Sequence, residues 1–304
     1  MLNDAAWLDT DLFAPRDREE MEAEAITRPG MSFLDVDGAR LRVRVQLGPG
    51  PTVIILPDGP NTIEQHDLAF ERLASRFAVV AIDVPGFGFS WANRADALTF
   101  DGAVAALLHA IDQLVPNAFI VTGSCIQAYV AIAIAAARPE RACGVIAGQA
   151  TDVPGFRRWI ERAVDPAGFL RTPMVGQMAW ARAENRHRMA VDGWYRAVAG
   201  PDLDLEPWQQ IARWSIDCGC SNSLATVCQT WLPDDGWSPP TAECAGVILF
   251  GEADRTHRRS DPDGMTRYLP HAKVHRLPRA GHFPELEAID AFEAAVLELS
   301  CPRE

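Results

Sequence analysis

Residues 119–141 read FIVTGSCIQAYVAIAIAAARPER, and their interpretation decides the fold class. The segment opens with Phe119, Ile120, Val121 and Thr122, residue types that favour a buried strand. From about 126 to 138 it becomes an Ala- and Ile-rich run without Gly or Pro, which reads as a helix. Between the two, Gly123-Ser124-Cys125 leaves room only for a tight corner. A strand that turns straight into a helix is half of a βαβ unit, the building block of a parallel sheet.

The same alternation extends outward in both directions. Upstream, MSFLDVDGARLRVRVQLGPG alternates around Asp37-Gly38 and reads as a β-hairpin. TVIILP follows as a strand buried on both faces, then a helix over about 63–75, the strand FAVVAIDVPGFGFS with its Gly-rich turn, and a helix near 98–114. Downstream, ACGVIAG is a further strand, after which the alternation stops. Residues 152–237 carry mostly helical signals and seven of the nine tryptophans (159, 180, 194, 208, 214, 231 and 237). The sheet pattern resumes at GVILFG, passes a helix near 260–269 and the strand AKVHRL, and ends in the helix PELEAIDAFEAAVLELS, where Leu286, Ile289, Phe292 and Val296 form one apolar stripe. The division that follows is an acidic leader over 1–29, an α/β core over 30–151 and 238–304, and a helical insertion over 152–237.

Composition narrows the partners. At 304 residues the chain can bury a large core. Its net charge of −13, from 28 basic and 41 acidic side chains, opposes a phosphate backbone, so nucleic acid is not an expected partner. Seven irregularly spaced cysteines do not form a disulfide framework and fit a reducing compartment. The acidic N-terminus lacks the apolar core of a secretory signal, and no stretch is long enough to span a bilayer; a cytoplasmic location is the expectation. The oligomeric state stays open, with a homodimer among the options.

Ligands of an open parallel sheet bind beyond the carboxyl ends of the strands. Four strand-to-helix turns there carry chemistry: Asp58 in LPDGPN, Cys125 in TGSCIQ, Asp254 in GEAD and His282 in AGHFPE. A cysteine opening a helix sits where the N-terminal dipole favours its anion and lowers its pKa from about 8.5 toward roughly 3.5–7.5.

The chain resembles the α/β-hydrolase superfamily with a helical cap. Gly123-Ser124-Cys125-Ile126-Gln127 stands where that family has its G-x-Ser-x-G nucleophile elbow, followed in chain order by an acid, Asp254, and a histidine, His282. DVPGFGFS resembles the family's D-x-P-G-x-G-x-S turn, and RPER its H/R-P-E-R after the elbow helix. The resemblance implies an α/β fold with a mostly parallel sheet, helices on both faces and a cap over 152–237. It also implies a Cys125-His282-Asp254 triad. Ser124 fits less well, since its motif would begin at Thr122 rather than Gly123. Alone, Cys125 would read as an inert buried thiol, and Asp254 could equally be a helix cap and His282 a hydrogen-bonded core histidine; the ordered Cys, Asp, His set reverses the reading of Cys125. Asp152, after the preceding strand, is a second candidate acid.

In such a triad His282 takes the thiol proton or pairs with the thiolate, and Asp254 orients the ring. The product of attack is a thioester, more reactive than an ester toward amines, thiols and carbanions. The implied activity is therefore acyl transfer, cyclisation, thioester cleavage or hydrolysis of a small or carrier-bound, largely apolar acyl substrate, without a cofactor. Two departures from the family pattern stand out. Its His-Gly-x oxyanion motif is Asp58-Gly59-Pro60 here, and proline has no N–H to donate, which leaves the N–H of Ile126 and the backbone or side chain of Asn61. Gln127 replaces the elbow's last glycine, and its amide either meets substrate or points outward. The proline also admits non-acyl chemistry, such as C–C cleavage or a lyase step, and a ligand-binding pseudoenzyme remains the reading outside enzymes. Asp58, Gln127, Trp180, Trp194 and Trp214 are the candidate substrate contacts, set against a role for the tryptophans in the insertion's own core. CGCS at 218–221 has no paired Cys-x-x-Cys and no nearby histidine, so no metal site is expected; His257 reads as an exposed loop residue.

Overall fold

The computed structural model describes residues 5–9, 18–184, 188–218, 224–232 and 236–300; the side chains of 183, 184, 188–190 and 218 lie outside the description. Cys220 and Cys301 are therefore outside the described residues, as is the Cys218 side chain.

Among the described residues nine strands form one sheet: β1 (Met31–Val36), β2 (Ala39–Gln46), β3 (Thr52–Leu56), β4 (Ala78–Ile82), β5 (Trp91–Ala92), β6 (Phe119–Ser124), β7 (Ala142–Gly148), β8 (Ala245–Gly251) and β9 (Ala272–Leu277). Their order is β1-β2-β4-β3-β6-β7-β8-β9, with β5 beside β2. Every neighbour pair from β4 to β9 is parallel, whereas β1, β2 and β5 join antiparallel at one edge. The reason lies in the β-branched runs. Ile54 and Leu56 of β3 pack under the helices Phe100–Leu114 and Gln127–Ala137, while Val53 and Ile55 face the helices Asp67–Leu73 and Ile289–Ser300. A strand covered on both faces is apolar at every position, and each such side chain contributes about 1.5–3 kcal/mol.

Between β7 and β8 the described residues form helical turns only, including Val153–Trp159, Val175–Glu184, Trp194–Val198 and Leu205–Cys218. Two expected helices differ in detail. The one near 260–269 is a tighter turn over Pro262–Arg267. The last helix breaks at Ala288 into Pro284–Glu287 and Ile289–Ser300. The Glu287 carboxylate holds that break by accepting the N–H groups of Gly200, Gly281 and Phe283 at 2.7, 2.9 and 3.2 Å.

A buried ion network fixes the loop that carries Asp58. Arg42 is fully buried, pairs with Glu64 at 2.8 Å and with Asp83 at 2.8 Å, and so ties β2 to the segments after β3 and β4. Burial raises the Glu64 carboxyl, but Arg42 outweighs it and holds the group below its usual range. Gly88 is required in this turn: at φ +55°, a Cβ would stand 2.4 Å from the Asp83 carboxylate. Met21 and Ala25 of the leader pack on Phe89 and Trp91, so the described part of the leader lies on its own chain. Among the described residues no helix is long and apolar enough to cross a membrane.

Candidate active site

β6 ends at Ser124, and the chain then passes through Cys125 in the left-handed region at φ 54° before the helix Gln127–Ala137 begins. A non-glycine residue there costs on the order of 1–3 kcal/mol and is held by its surroundings. Cys125 N–H donates to the Gly148 carbonyl at 2.8 Å. The close packing expected of an elbow glycine falls on two other residues. A Cβ on Gly123 would lie 2.4 Å from the Gln127 carbonyl oxygen, and one on Gly148 would lie 1.9 Å from Ser124 Oγ. With those two positions small, Gln127 fits at the start of the helix.

The neighbouring serine is engaged elsewhere. Ser124 Oγ donates to Glu285 Oε2 at 2.5 Å, and burial pushes the Glu285 carboxyl up to about 7. The Cys125 sulfur instead faces His282 Nε2 and an Asp58 carboxylate oxygen, the three atoms lying within 4.8 Å of one another. His282 Nδ1 lies 2.6 Å from Asp254 Oδ2. Asp254 is held in turn: its Oδ1 accepts from the Thr256 N–H and hydroxyl at 2.8 and 2.7 Å, and its Oδ2 accepts from Gln149 Nε2 at 3.3 Å. Asp152, the other candidate acid, caps the helix Val153–Trp159 through the Gly155 N–H and pairs with Arg267.

The electrostatics run against one expectation. Burial first, and then the charge of Asp58, push the Cys125 thiol up to about 11 rather than down, although the Ile126 N–H directed at the sulfur favours its anion. The helix terminus cannot offset removal from water beside a carboxylate. Burial also works against a charged His282, but a Cys125 thiolate and the carboxylates of Asp254 and Asp58 outweigh it and raise the imidazole well above its usual range. The two directions belong to one pair, since a thiolate would raise the ring and an imidazolium would lower the thiol. Both carboxylates stay beside the ring whatever the sulfur does, and both favour its protonated form. Burial lifts Asp58 above its ordinary range, and His282 pulls it partway back. For Asp254 burial is overcome by His282, which keeps the carboxyl below its usual value.

The remaining predicted residues divide. Asn61 spends its backbone N–H on the Asp58 carbonyl at 2.9 Å, and its Oδ1 accepts from the Tyr195 hydroxyl at 2.5 Å. Its buried Nδ2 has no partner among the described residues, so only the side-chain amide is free to donate. Gln127 is fully buried with neither amide atom partnered among the described residues, and its burial excludes the outward orientation. Trp194 meets the His282 ring edge-on at 5.4 Å, and Trp159 stacks on it at 5.8 Å. Trp180 is half-buried against the larger core cluster, its indole N–H unpartnered among the described residues. Trp214 is directed elsewhere, onto Phe89 at 4.3 Å in the cluster with Met21 and Trp91.

His257 is not an exposed loop residue. It is buried, stacked on Trp159 at 4.5 Å and 5.2 Å from the His282 ring, and burial lowers it to about 3. Gln149 and Glu285 escaped the sequence reading because each acts through a partner distant in the chain, and Thr256 escaped it although Asp254 lies only two residues away. Only Gln149, directly after a strand at the sheet's carboxyl edge and at φ 40°, occupied a position that could have flagged it.

Comparison with known proteins agrees with this architecture. The model of the alpha/beta hydrolase family matches residues 53–295. Haloalkane dehalogenase 2 of Mycobacterium tuberculosis is 24% identical over 272 residues, covering 86% of this chain and 92% of that protein. Epoxide hydrolase A of Mycobacterium thermoresistibile superposes with a TM-score of 0.71 at 18% identity, over 90% of this chain and 98% of that one. An inhibitor-bound epoxide hydrolase of Bacillus megaterium gives 0.68 at 18% identity, over 88% and 99%. The strained corner after β6, the acid after β8 and the histidine after β9 thus sit on a scaffold matched from β3 almost to the C-terminus, and the chain belongs to the alpha/beta hydrolase family.

Proposed function

We propose that this protein is a cysteine-dependent enzyme that transfers or hydrolyses an acyl group through a thioester on Cys125, with residues 152–237 as the cap over the site. The observation that carries this reading is the position of Cys125: a positive-φ corner at the strand end, its sulfur beside His282 Nε2, and Asp254 behind the ring. In the first step Asp58 accepts the thiol proton and the sulfur attacks the acyl carbon. His282 protonates the departing group as the carbonyl re-forms. Water, an amine, a thiol or a carbon acid then takes the acyl group, its proton passing to the now neutral His282, and the sulfur recovers its proton from Asp58. The Ile126 N–H and Asn61 Nδ2 supply the donors for the oxyanion, and Gln127, Trp180 and Trp194 the contacts to a largely apolar acyl chain.

The names of the relatives, haloalkane dehalogenase and epoxide hydrolase, point to attack on saturated carbon. A cysteine makes that route a dead end. Sulfur attack on an alkyl halide or epoxide leaves a thioether, which water does not displace, whereas a thioester is readily cleaved. A second reading, non-acyl C–C cleavage or lyase chemistry, draws on Asp58, because a carboxylate beside the sulfur disfavours a full oxyanion there. Intact-protein mass after incubation with activated esters and thioesters separates the two. An adduct of the acyl mass that is lost in Cys125→Ala and retained in Ser124→Ala is the expected result. Turnover by Cys125→Ala, or an adduct that moves to Ser124, overturns the thioester mechanism.

A further inference from the structure

We propose that Asp58, Cys125 and His282 form a site for one thiophilic divalent cation of the Zn²⁺ type, held by the Cys125 sulfur, His282 Nε2 and an Asp58 carboxylate oxygen. The three residues come from the turns after β3, β6 and β9, too far apart in sequence to form a motif. Their ligand atoms all lie within 4.8 Å of one another, and all three residues are buried. His282 Nε2 is 3.7 Å from Asp58 Oδ2, too long for a hydrogen bond. Two ligands of a tetrahedral Zn²⁺ with bonds of about 2.0–2.2 Å stand about 3.4 Å apart, so a small closure brings both into range.

Three further observations favour a cation over a simple gap. Among the described residues His282 Nε2 is fully buried without a hydrogen-bond partner, so a cation replaces only a ring proton released to solvent. Its other nitrogen already faces Asp254 at 2.6 Å, the arrangement that orients a metal-binding imidazole and strengthens it as a ligand. Asp254 is itself held by Thr256 and Gln149. Finally, binding displaces the Cys125 proton to solvent, and the thiolate and carboxylate then carry two negative charges in a buried site, which one dication balances. Sulfur, imidazole nitrogen and carboxylate oxygen are all ligands Zn²⁺ accepts, and three of them leave its fourth position open. The neighbouring group of Asp254, His257 and His282 is a poorer candidate, because His282 Nδ1 is already committed to Asp254. A cation bound this way occupies the sulfur and makes Zn²⁺ a reversible inhibitor that competes with acylation; this consequence rests on the thioester reading, whereas the binding does not.

The test uses the full chain, stripped of metal and titrated with Zn²⁺ against a chromophoric chelator, then with Co²⁺ as a spectroscopic probe. One equivalent of Zn²⁺ is expected to bind, and Co²⁺ to give a near-ultraviolet thiolate charge-transfer band with the visible spectrum of a four-coordinate ion. Cys125→Ser should abolish the charge-transfer band, and Asp58→Asn should weaken binding by about tenfold or more, with circular dichroism verifying that both variants fold. No one-equivalent site tighter than millimolar, a thiolate band that persists in Cys125→Ser, or an affinity unchanged in Asp58→Asn each overturns the site. Acyl adducts are read separately by mass, so failure of the thioester mechanism is distinguishable from failure of metal binding.

Discussion

Asp58→Asn should make Cys125 more reactive and the enzyme less active. Asn keeps the shape of the side chain and removes the charge, the second-largest cause after burial that pushes the thiol from 9.0 up to about 11. The full lift is about two units, or about 2.7 kcal/mol, and cuts the thiolate fraction at pH 7 from about 1 in 100 to about 1 in 10,000. Two unit charges no more than 4.8 Å apart repel by at least about 3.5 kcal/mol at an effective dielectric of 20. His282 opposes that lift, so removing the Asp58 charge recovers only part of it. Only the thiolate reacts with a neutral alkylating agent, so labelling of Cys125 by chloroacetamide at pH 7 should rise about tenfold. Turnover of an activated thioester should fall by about 10²–10⁴, the usual cost of a lost general base. Peptide mapping separates Cys125 from the six other cysteines of the chain. Slower or unchanged labelling in Asp58→Asn would refute the reasoning, because the carboxylate would then not oppose the thiolate.

Two further substitutions probe the support beneath the elbow. Glu285 is raised from 4.5 to about 7 by burial, so the folded chain holds this proton more tightly than the unfolded chain. Its stabilising contribution is complete below about pH 4.5 and is lost as pH rises through about 7, a change of about 3 kcal/mol. Glu285→Gln should flatten that part of the stability profile in denaturant melts, and an identical decline in both proteins would place the titration elsewhere. Gly123→Ala would set a Cβ 2.4 Å from the Gln127 carbonyl oxygen, a backbone atom with no freedom to yield. A loss of about 1–3 kcal/mol and of the acyl adduct is expected; wild-type melting and full adduct yield would show that the strand and helix are not in that close contact.

The sequence by itself determined the sheet, its helices and the four turns that meet at its carboxyl edge. Those features follow from near neighbours: β-branched runs covered on both faces, and an Ala-rich helix directly after the tight corner at Gly123-Ser124-Cys125. It also placed Cys125, Asp254 and His282 in the order that the fold then brings together. Tertiary structure alone decided how that site is charged. Whether a thiol is acidic depends on water excluded by the whole domain and on charges from distant turns. The helix start suggested a lowered Cys125, whereas burial and Asp58 raise it. The same cause put His257 inside, sent Trp214 to Phe89, engaged Ser124 with Glu285 and set Asp58 opposite the sulfur. Periodicity tells a side chain which face to occupy, but only the packed fold sets which remote group it meets there.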